Sequence, residues 1–174
     1  RYSYEEKEFT LAQFVNHGLA QGPVTQDANW DAWTPKIGLD YYLNDEVMLY
    51  VSASRGFKSG AFNSSNEFGP AVNPEFINAY EVGVKSMLFN DRLRLNLSAF
   101  NYDYTDLQVQ GIEADSLSVT LKNAAEAKIK GLEIDLSALP SEQLQVDLGV
   151  SWLDAEYTDF PTLDQLGLQS VNLK

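Results

Sequence analysis

The sequence predicts an all-β protein, an antiparallel up-and-down meander of about seven strands that is a partial segment of a transmembrane β-barrel. Three observations carry that prediction. Apolar residues recur with period two rather than 3.6 along most of the 174 residues. Tight polar turns alternate with long polar connections, the asymmetry of barrels that cross an outer membrane. Aromatic residues gather toward the ends of the strands around an aliphatic zone, where amphipathic rings meet the headgroups.

Strands are predicted over 2–9, 32–43, 47–57, 79–88, 92–104, 124–138 and 144–157. In the second, Ile37, Leu39, Tyr41 and Leu43 alternate with Lys36, Gly38, Asp40 and Tyr42. In the third, Val47, Leu49, Val51 and Ala53 alternate with Met48, Tyr50, Ser52 and Ser54. The fourth sets Tyr80, Val82 and Val84 against Glu81, Gly83 and Lys85, and the fifth Leu93, Leu95 and Leu97 against Arg94, Asn96 and Ser98. The sixth has Leu132, Ile134 and Leu136 against Glu133, Asp135 and Ser137. In the last, Leu144 to Trp152 alternates with Gln145, Asp147, Gly149 and Ser151. Asn44-Asp45-Glu46, Phe89-Asn90-Asp91 and Pro140-Ser141-Glu142 have the composition of tight turns. Residues 10–29, 58–78, 105–122 and 158–174 are predicted as long connections. A Gly-aliphatic-charged triplet, at Gly38, Gly83 and Gly131, recurs on each strand that descends to a tight turn.

Alternation alone also fits a soluble sandwich with one wet face. The aromatic positions separate the two. Trp33, Phe57, Tyr80, Tyr104, Trp152 and Tyr157 fall at the long-connection ends of their strands, and Tyr41 and Phe89 near the tight turns. From Trp33 to Leu43 a strand tilted by about 45° rises roughly 23 Å, close to an apolar band of about 25 Å. The other face carries Lys36, Asp40, Glu81, Lys85, Arg94, Asn96, Glu133, Asp135 and Asp147. A wet or plugged lumen accommodates such a face and a sandwich core does not. Phe100, Tyr102 and Tyr104 break the parity of Leu93 to Ala99. Either a bulge near 99–101 re-aims them or they line the mouth of the lumen.

Composition narrows the chemistry. A formal net charge of −13 argues against a nucleic-acid partner. With no Cys and one His, disulfides, thiolate sites and multi-histidine metal sites are excluded. No apolar run is long enough for a transmembrane helix. The chain starts without a Met or a leader, so it is expected to begin inside a mature or truncated protein.

Several segments resemble the barrel domain of TonB-dependent outer-membrane receptors of the iron-complex (siderophore) type. They are Trp33-Thr34-Pro35-Lys36-Ile37-Gly38-Leu39-Asp40-Tyr41-Tyr42-Leu43, followed by Leu49 to Gly60; Asn73-Pro74-Glu75 with Tyr80 to Lys85; Phe100-Asn101-Tyr102-Asp103-Tyr104-Thr105-Asp106-Leu107-Gln108; and Asn123-Ala124-Ala125 running to Gly131-Leu132-Glu133. The resemblance covers residues 30 to 157. It implies a large barrel of 22 strands in the outer membrane of a Gram-negative bacterium, filled by its own N-terminal plug. It also implies TonB-energised uptake of a small-molecule ligand, an iron–siderophore complex, with outer-membrane lipids around the wall and no resident cofactor. The 174 residues are then an internal part of the barrel domain, without the plug and without the closing C-terminal strand. A passive porin-like channel and a barrel enzyme acting on lipids or glycans are the alternatives; the main reading is not an enzyme.

Candidate ligand-binding residues are Arg55, Lys58, Phe62, Tyr102 and Tyr104, at the rim and in the connections, where cations contact anions and rings stack on a ligand. Arg55 and Lys58 are also placed to meet lipopolysaccharide phosphates. Trp30 and Phe68 are further stacking candidates. His17 stands alone as a metal or haem ligand, against a solvent-exposed side chain without a role. Gly56-Phe57-Lys58-Ser59-Gly60 lacks the upstream Gly of a phosphate loop. The stretch from Asn101 has Asp106 and Ile112 where a calcium loop needs Gly and Glu. Asn63-Ser64-Ser65 matches a glycosylation acceptor, which carries little meaning in a bacterial envelope. No catalytic or metal-binding residue is predicted.

Overall fold

The computed structural model describes residues 1–15, 18–63, 71–112, 119–159, 161–163 and 170–172. Its strands, in chain order, are β1 (Tyr2–Val15), β2 (Gly18–Trp33), β3 (Lys36–Asn44), β4 (Val47–Lys58), β5 (Glu75–Leu88), β6 (Leu93–Ile112), β7 (Val119–Ser141), β8 (Leu144–Asp159), β9 (Pro161–Leu163) and β10 (Ser170–Asn172). β3 to β8 form one antiparallel sheet in strict sequence order, while β1 with β2 and β9 with β10 form separate hairpins. This is the expected meander, with more strand than expected.

Each tight turn follows from its residues. Asn44 Oδ1 accepts hydrogen bonds from Glu46 N (2.9 Å) and Val47 N (2.8 Å), so the side chain replaces a ladder carbonyl and turns the chain. Phe89, Asn90 and Asp91 have φ of 58°, 55° and 64°. Asn and Asp tolerate that left-handed region; Phe89 is held in it by the turn. Arg92 secures the same end from its side chain, donating to Leu139 O (3.1 Å) and Pro140 O (3.0 Å) and so tying two neighbouring turns together.

Two differences from the predicted strands have physical causes. The strand predicted over 32–43 divides at Thr34-Pro35, because Pro has no N–H to give a ladder. Before the break β2 pairs with β1, and after it β3 pairs with β4. Thr34 N donates to Arg1 O, and Pro35 O accepts from Arg55 N, which bridges the change of partner. The long connections predicted over 10–29 and 105–122 are largely strand: β1–β2 continues to Val15 and resumes at Gly18, and β6–β7 runs to Ile112 and resumes at Val119. These extensions lie beyond the bilayer, where both faces are wet and no alternation marks them.

Register sorts the side chains onto two faces. Leu39, Val51, Val82, Ala99, Leu132 and Trp152 stand side by side across the six strands, and Tyr41, Leu49, Val84, Leu97, Ile134 and Val150 form the next row. This face has no protein cover: Leu39 is 67% exposed, Leu132 52% and Val150 50%. Buried apolar residues are few among the described ones, Ala32, Val72, Phe100 and Ala125. A sheet with one broad aliphatic face and almost no core is stable only if lipid provides the apolar environment.

Candidate functional site

The opposite face begins with the rows Asp40–Tyr50–Gly83–Ser98–Glu133–Ser151 and Gly38–Ser52–Glu81–Phe100–Gly131–Leu153. The Tyr50 hydroxyl donates to Glu81 Oε1 (2.5 Å), and Lys85 Nζ lies 5.2 Å from the centre of the Tyr50 ring. The ring itself lies across Gly83: a Cβ there would stand 2.5 Å from Tyr50 and 2.6 Å from Leu97 O. Carboxylate, phenol and ammonium are therefore held in fixed order on this wall.

Register settles the orientation of the aromatics in β6. From Leu93 to Tyr104 the pairing with β7 is unbroken, so there is no bulge at 99–101. The irregularity comes later, between Tyr104 and Leu107, where Asp106 has φ 55°. Phe100, Tyr102 and Tyr104 consequently share the polar face with Asn96 and Ser98. Phe100 and Tyr102 stack with centroids 4.8 Å apart. Tyr104 stands in register beside Ala127, which stands beside Tyr157. With Ile129 and Ala155 these three line a cavity of about 270 Å³ near the upper end of the wall. The outer aromatic belt is correspondingly smaller than predicted. Tyr80 and Trp152 belong to the aliphatic face, and Trp33, in β2, meets Tyr2 at 5.3 Å with the ring planes tilted by 51°, whereas Tyr104 and Tyr157 face the polar side.

The other candidates are dispersed. Arg55 shares a face with Val51 and Ala53, and its guanidinium carbon lies 4.3 Å from the centre of the Phe76 ring. Lys58 pairs with Glu75 at 3.4 Å, and Glu75 also accepts from Gln108 N at 2.9 Å. Phe62 packs between Phe9 (5.8 Å, stacked) and Trp30 (6.0 Å, edge-on). Residues 101–106 are part of β6, with Asn101 donating to Asp103 within the strand (3.2 Å), and so form no loop around an ion. Among the described residues no cluster of three or more His, Asp or Glu can hold a metal. His17, Phe68, Ser64 and Ser65 lie outside the described residues.

The pattern of residues gave no sign of a clamp around the β4–β5 connection. Ser59 and Gly60 are buried against β1 and β2. Lys7 donates to Ser59 Oγ and to Gly60 O (3.0 Å), and its ammonium lies over the Trp30 ring. A side chain at Gly60 would collide with the Trp30 ring and with Val72 O, so only Gly fits. The Ser59 hydroxyl, and then the Lys7 charge, hold the Glu5 carboxyl below the usual carboxylate range despite some desolvation. On the far side, Asn63 exchanges two hydrogen bonds with the backbone of Leu121. Asn123 accepts from Asn73 N (2.7 Å) and donates to Asn73 O (2.8 Å) and Asp106 O (2.7 Å). Gln108 adds bonds to Ser59 O and Asn73 O. The connection is thus fastened to the β1–β2 hairpin and to the β6–β7 hairpin at once. Such amide clamps leave no periodic trace, because an isolated Asn or Gln is as common in unattached loops.

Comparison with known proteins places this geometry. A family model described as TonB dependent receptor-like, beta-barrel, matches residues 1–172. The metal-pseudopaline receptor CntO of Pseudomonas aeruginosa is 33% identical over 145 residues, 83% of this chain and 20% of that protein. The probable TonB-dependent siderophore receptor PiuA of Acinetobacter baumannii is 26% identical over 77% of this chain and 18% of its own length. Among solved structures, the ferric yersiniabactin uptake receptor FyuA from Yersinia pestis superposes with a TM-score of 0.74 at 18% identity, over 90% of this chain and 23% of that one. The ferric-catecholate import receptor Fiu from Escherichia coli K12 gives 0.61 at 21% identity, over 96% and 26%. The chain spans about a fifth of the length of the curated relatives it matches.

Proposed function

The chain belongs to the TonB-dependent receptor β-barrel family of the outer membrane, and from that premise we propose that it is part of the wall of a receptor that takes up a scarce metal chelate, an iron–siderophore complex or a close relative. All 174 residues belong, in this reading, to the barrel domain. The polar face looks toward a plug supplied elsewhere in the whole protein, and TonB supplies the energy. The work is binding and passage, with no covalent catalysis; the relatives named above are receptors.

One observation supports the reading most: aromatic rings on the polar face, Tyr102 and Tyr104, at the end of the sheet that carries the long connections. In this reading Tyr102 and Tyr104 touch the ligand through ring faces and hydroxyls. Lys58 and Phe62 act from the clamp, one held by Glu75 and the other by Phe9 and Trp30. Cells making the whole receptor are expected to need it for growth on one chelated metal, and uptake of the labelled chelate should stop when an uncoupler collapses the proton gradient. Uptake that continues would overturn the energised reading in favour of a passive channel.

A further inference from the structure

On the aliphatic face, at the level of Tyr80 in the outer aromatic belt, the small side chains of Ala53 and Ala99 leave an open groove of about 560 Å³. Ala53 stands in register between Ile37 and Tyr80, and Ala99 beside Val82, so larger side chains rim a low floor. The lining is almost wholly apolar. Arg55, two residues above Ala53 on the same face, is exposed and stacked on Phe76. Among the described residues no carboxylate lies within ion-pair distance of it. Other cations on this face are differently placed: Lys130 is neutralised by Asp154 at 3.0 Å, and Lys128 stands between Asp103 and Glu156 in register.

We propose that this groove and Arg55 together form a binding seat for one phosphate-bearing acyl lipid of the surrounding leaflet. An acyl chain fills the step over Ala53 and Ala99, and the guanidinium, presented upward by Phe76, takes the phosphate in paired hydrogen bonds. The two parts are spaced as a lipid needs. Arg55 lies about 7 Å along the strand above Ala53, and its head reaches higher still. A stem among apolar groups with its charge at the headgroup level is the usual disposition of an interfacial Arg. The proposal rests on the membrane placement of the sheet and is independent of which chelate the receptor carries.

The test uses the whole receptor in detergent micelles, with native mass spectrometry reading retained lipid. The probes are phosphatidic acid, diacylglycerol with the same chains, and inorganic phosphate. Phosphatidic acid should be retained by the parent protein and reduced roughly tenfold by Arg55→Gln, the loss expected for a charge-assisted pair. Arg55→Lys should restore part of it. Ala53→Leu with Ala99→Leu should fill the groove and lower retention while keeping the face apolar, so the barrel still folds. Diacylglycerol should be insensitive to Arg55, and inorganic phosphate should not compete. Equal retention of phosphatidic acid by the parent, Arg55→Gln and the double Leu variant would overturn the seat, as would full displacement by inorganic phosphate.

Discussion

The ring of Phe100 occupies the space that Gly131 leaves open on the neighbouring strand: a Cβ at Gly131 would stand 2.5 Å from Phe100 Cζ and 2.7 Å from Trp152 O. Phe100 is only 9% exposed, although it lies on the polar face of a single sheet. Its cover comes from Tyr102 on one side and the bare backbone of β7 on the other. Gly131→Ala in the whole receptor should cost about 1–3 kcal/mol, the usual range for overpacking. Phe100→Ala removes only the ring contact and leaves Trp152 O in place. The double variant should therefore be less destabilised than the sum of the two singles, in equilibrium unfolding from bilayers.

The two faces of β6 give a direct comparison. Leu97 lies on the aliphatic face, 38% exposed, while Ser98 stands in register between Gly83 and Glu133. Leu97→Arg should cost about 2–4 kcal/mol when the receptor is refolded into bilayers. Ser98→Arg should cost far less, since it meets the Glu133 carboxylate and a wet lumen. A larger loss for Ser98→Arg would mean that lipid and lumen are reversed.

Asn123 makes two hydrogen bonds that hold the β4–β5 connection to β7 at Asn73, and a third to Asp106 O in β6. Asn123→Ala should lower the free energy of local opening by about 1–3 kcal/mol at typical net values per bond. Amide hydrogen exchange should speed up at Asn73 and near Gln108, while the strands within the bilayer stay protected.

The same clamp carries a pH dependence on its other side. Glu5 is held below the usual carboxylate range chiefly by the Ser59 hydroxyl, then by Lys7. A depressed carboxyl contributes stability above its unfolded pKa and loses it as pH falls through the folded value. Exchange protection at Ser59 and Gly60 should therefore be constant from neutral pH down to the ordinary carboxylate range and decline only below it. Glu5→Gln should remove that acid limb.

Where one face of a strand meets lipid and the other meets polar groups, alternation exposed both the strand and its facing. The set Leu144, Val146, Leu148, Val150 and Trp152 could be placed on the aliphatic face from the sequence, and all five stand there in β8. The tight turns were legible for the same reason: Asn44 and Asn90-Asp91 have side chains or backbone preferences that only a turn uses. Beyond the bilayer both faces are wet and that contrast vanishes, so β6 past Tyr104 and most of β1–β2 read as connection. Phe62 was legible as an aromatic in a loop, but its packing on Phe9 and Trp30 depends on a contact more than thirty residues away in the chain, which no local pattern encodes.

β6 and β7 contain 20 and 23 residues, against the nine to eleven that cross a bilayer. At about 3.3 Å per residue and a tilt near 45°, β7 rises roughly 50 Å, about twice the apolar band. The upper part of the β6–β7 pair is therefore a parapet standing some 20–25 Å above the lipid. Its outer side carries Asp103 and Lys128, and Tyr102 and Tyr104 stand on its inner side. The strands themselves therefore stand between those two rings and anything adsorbed to the membrane on the outer side.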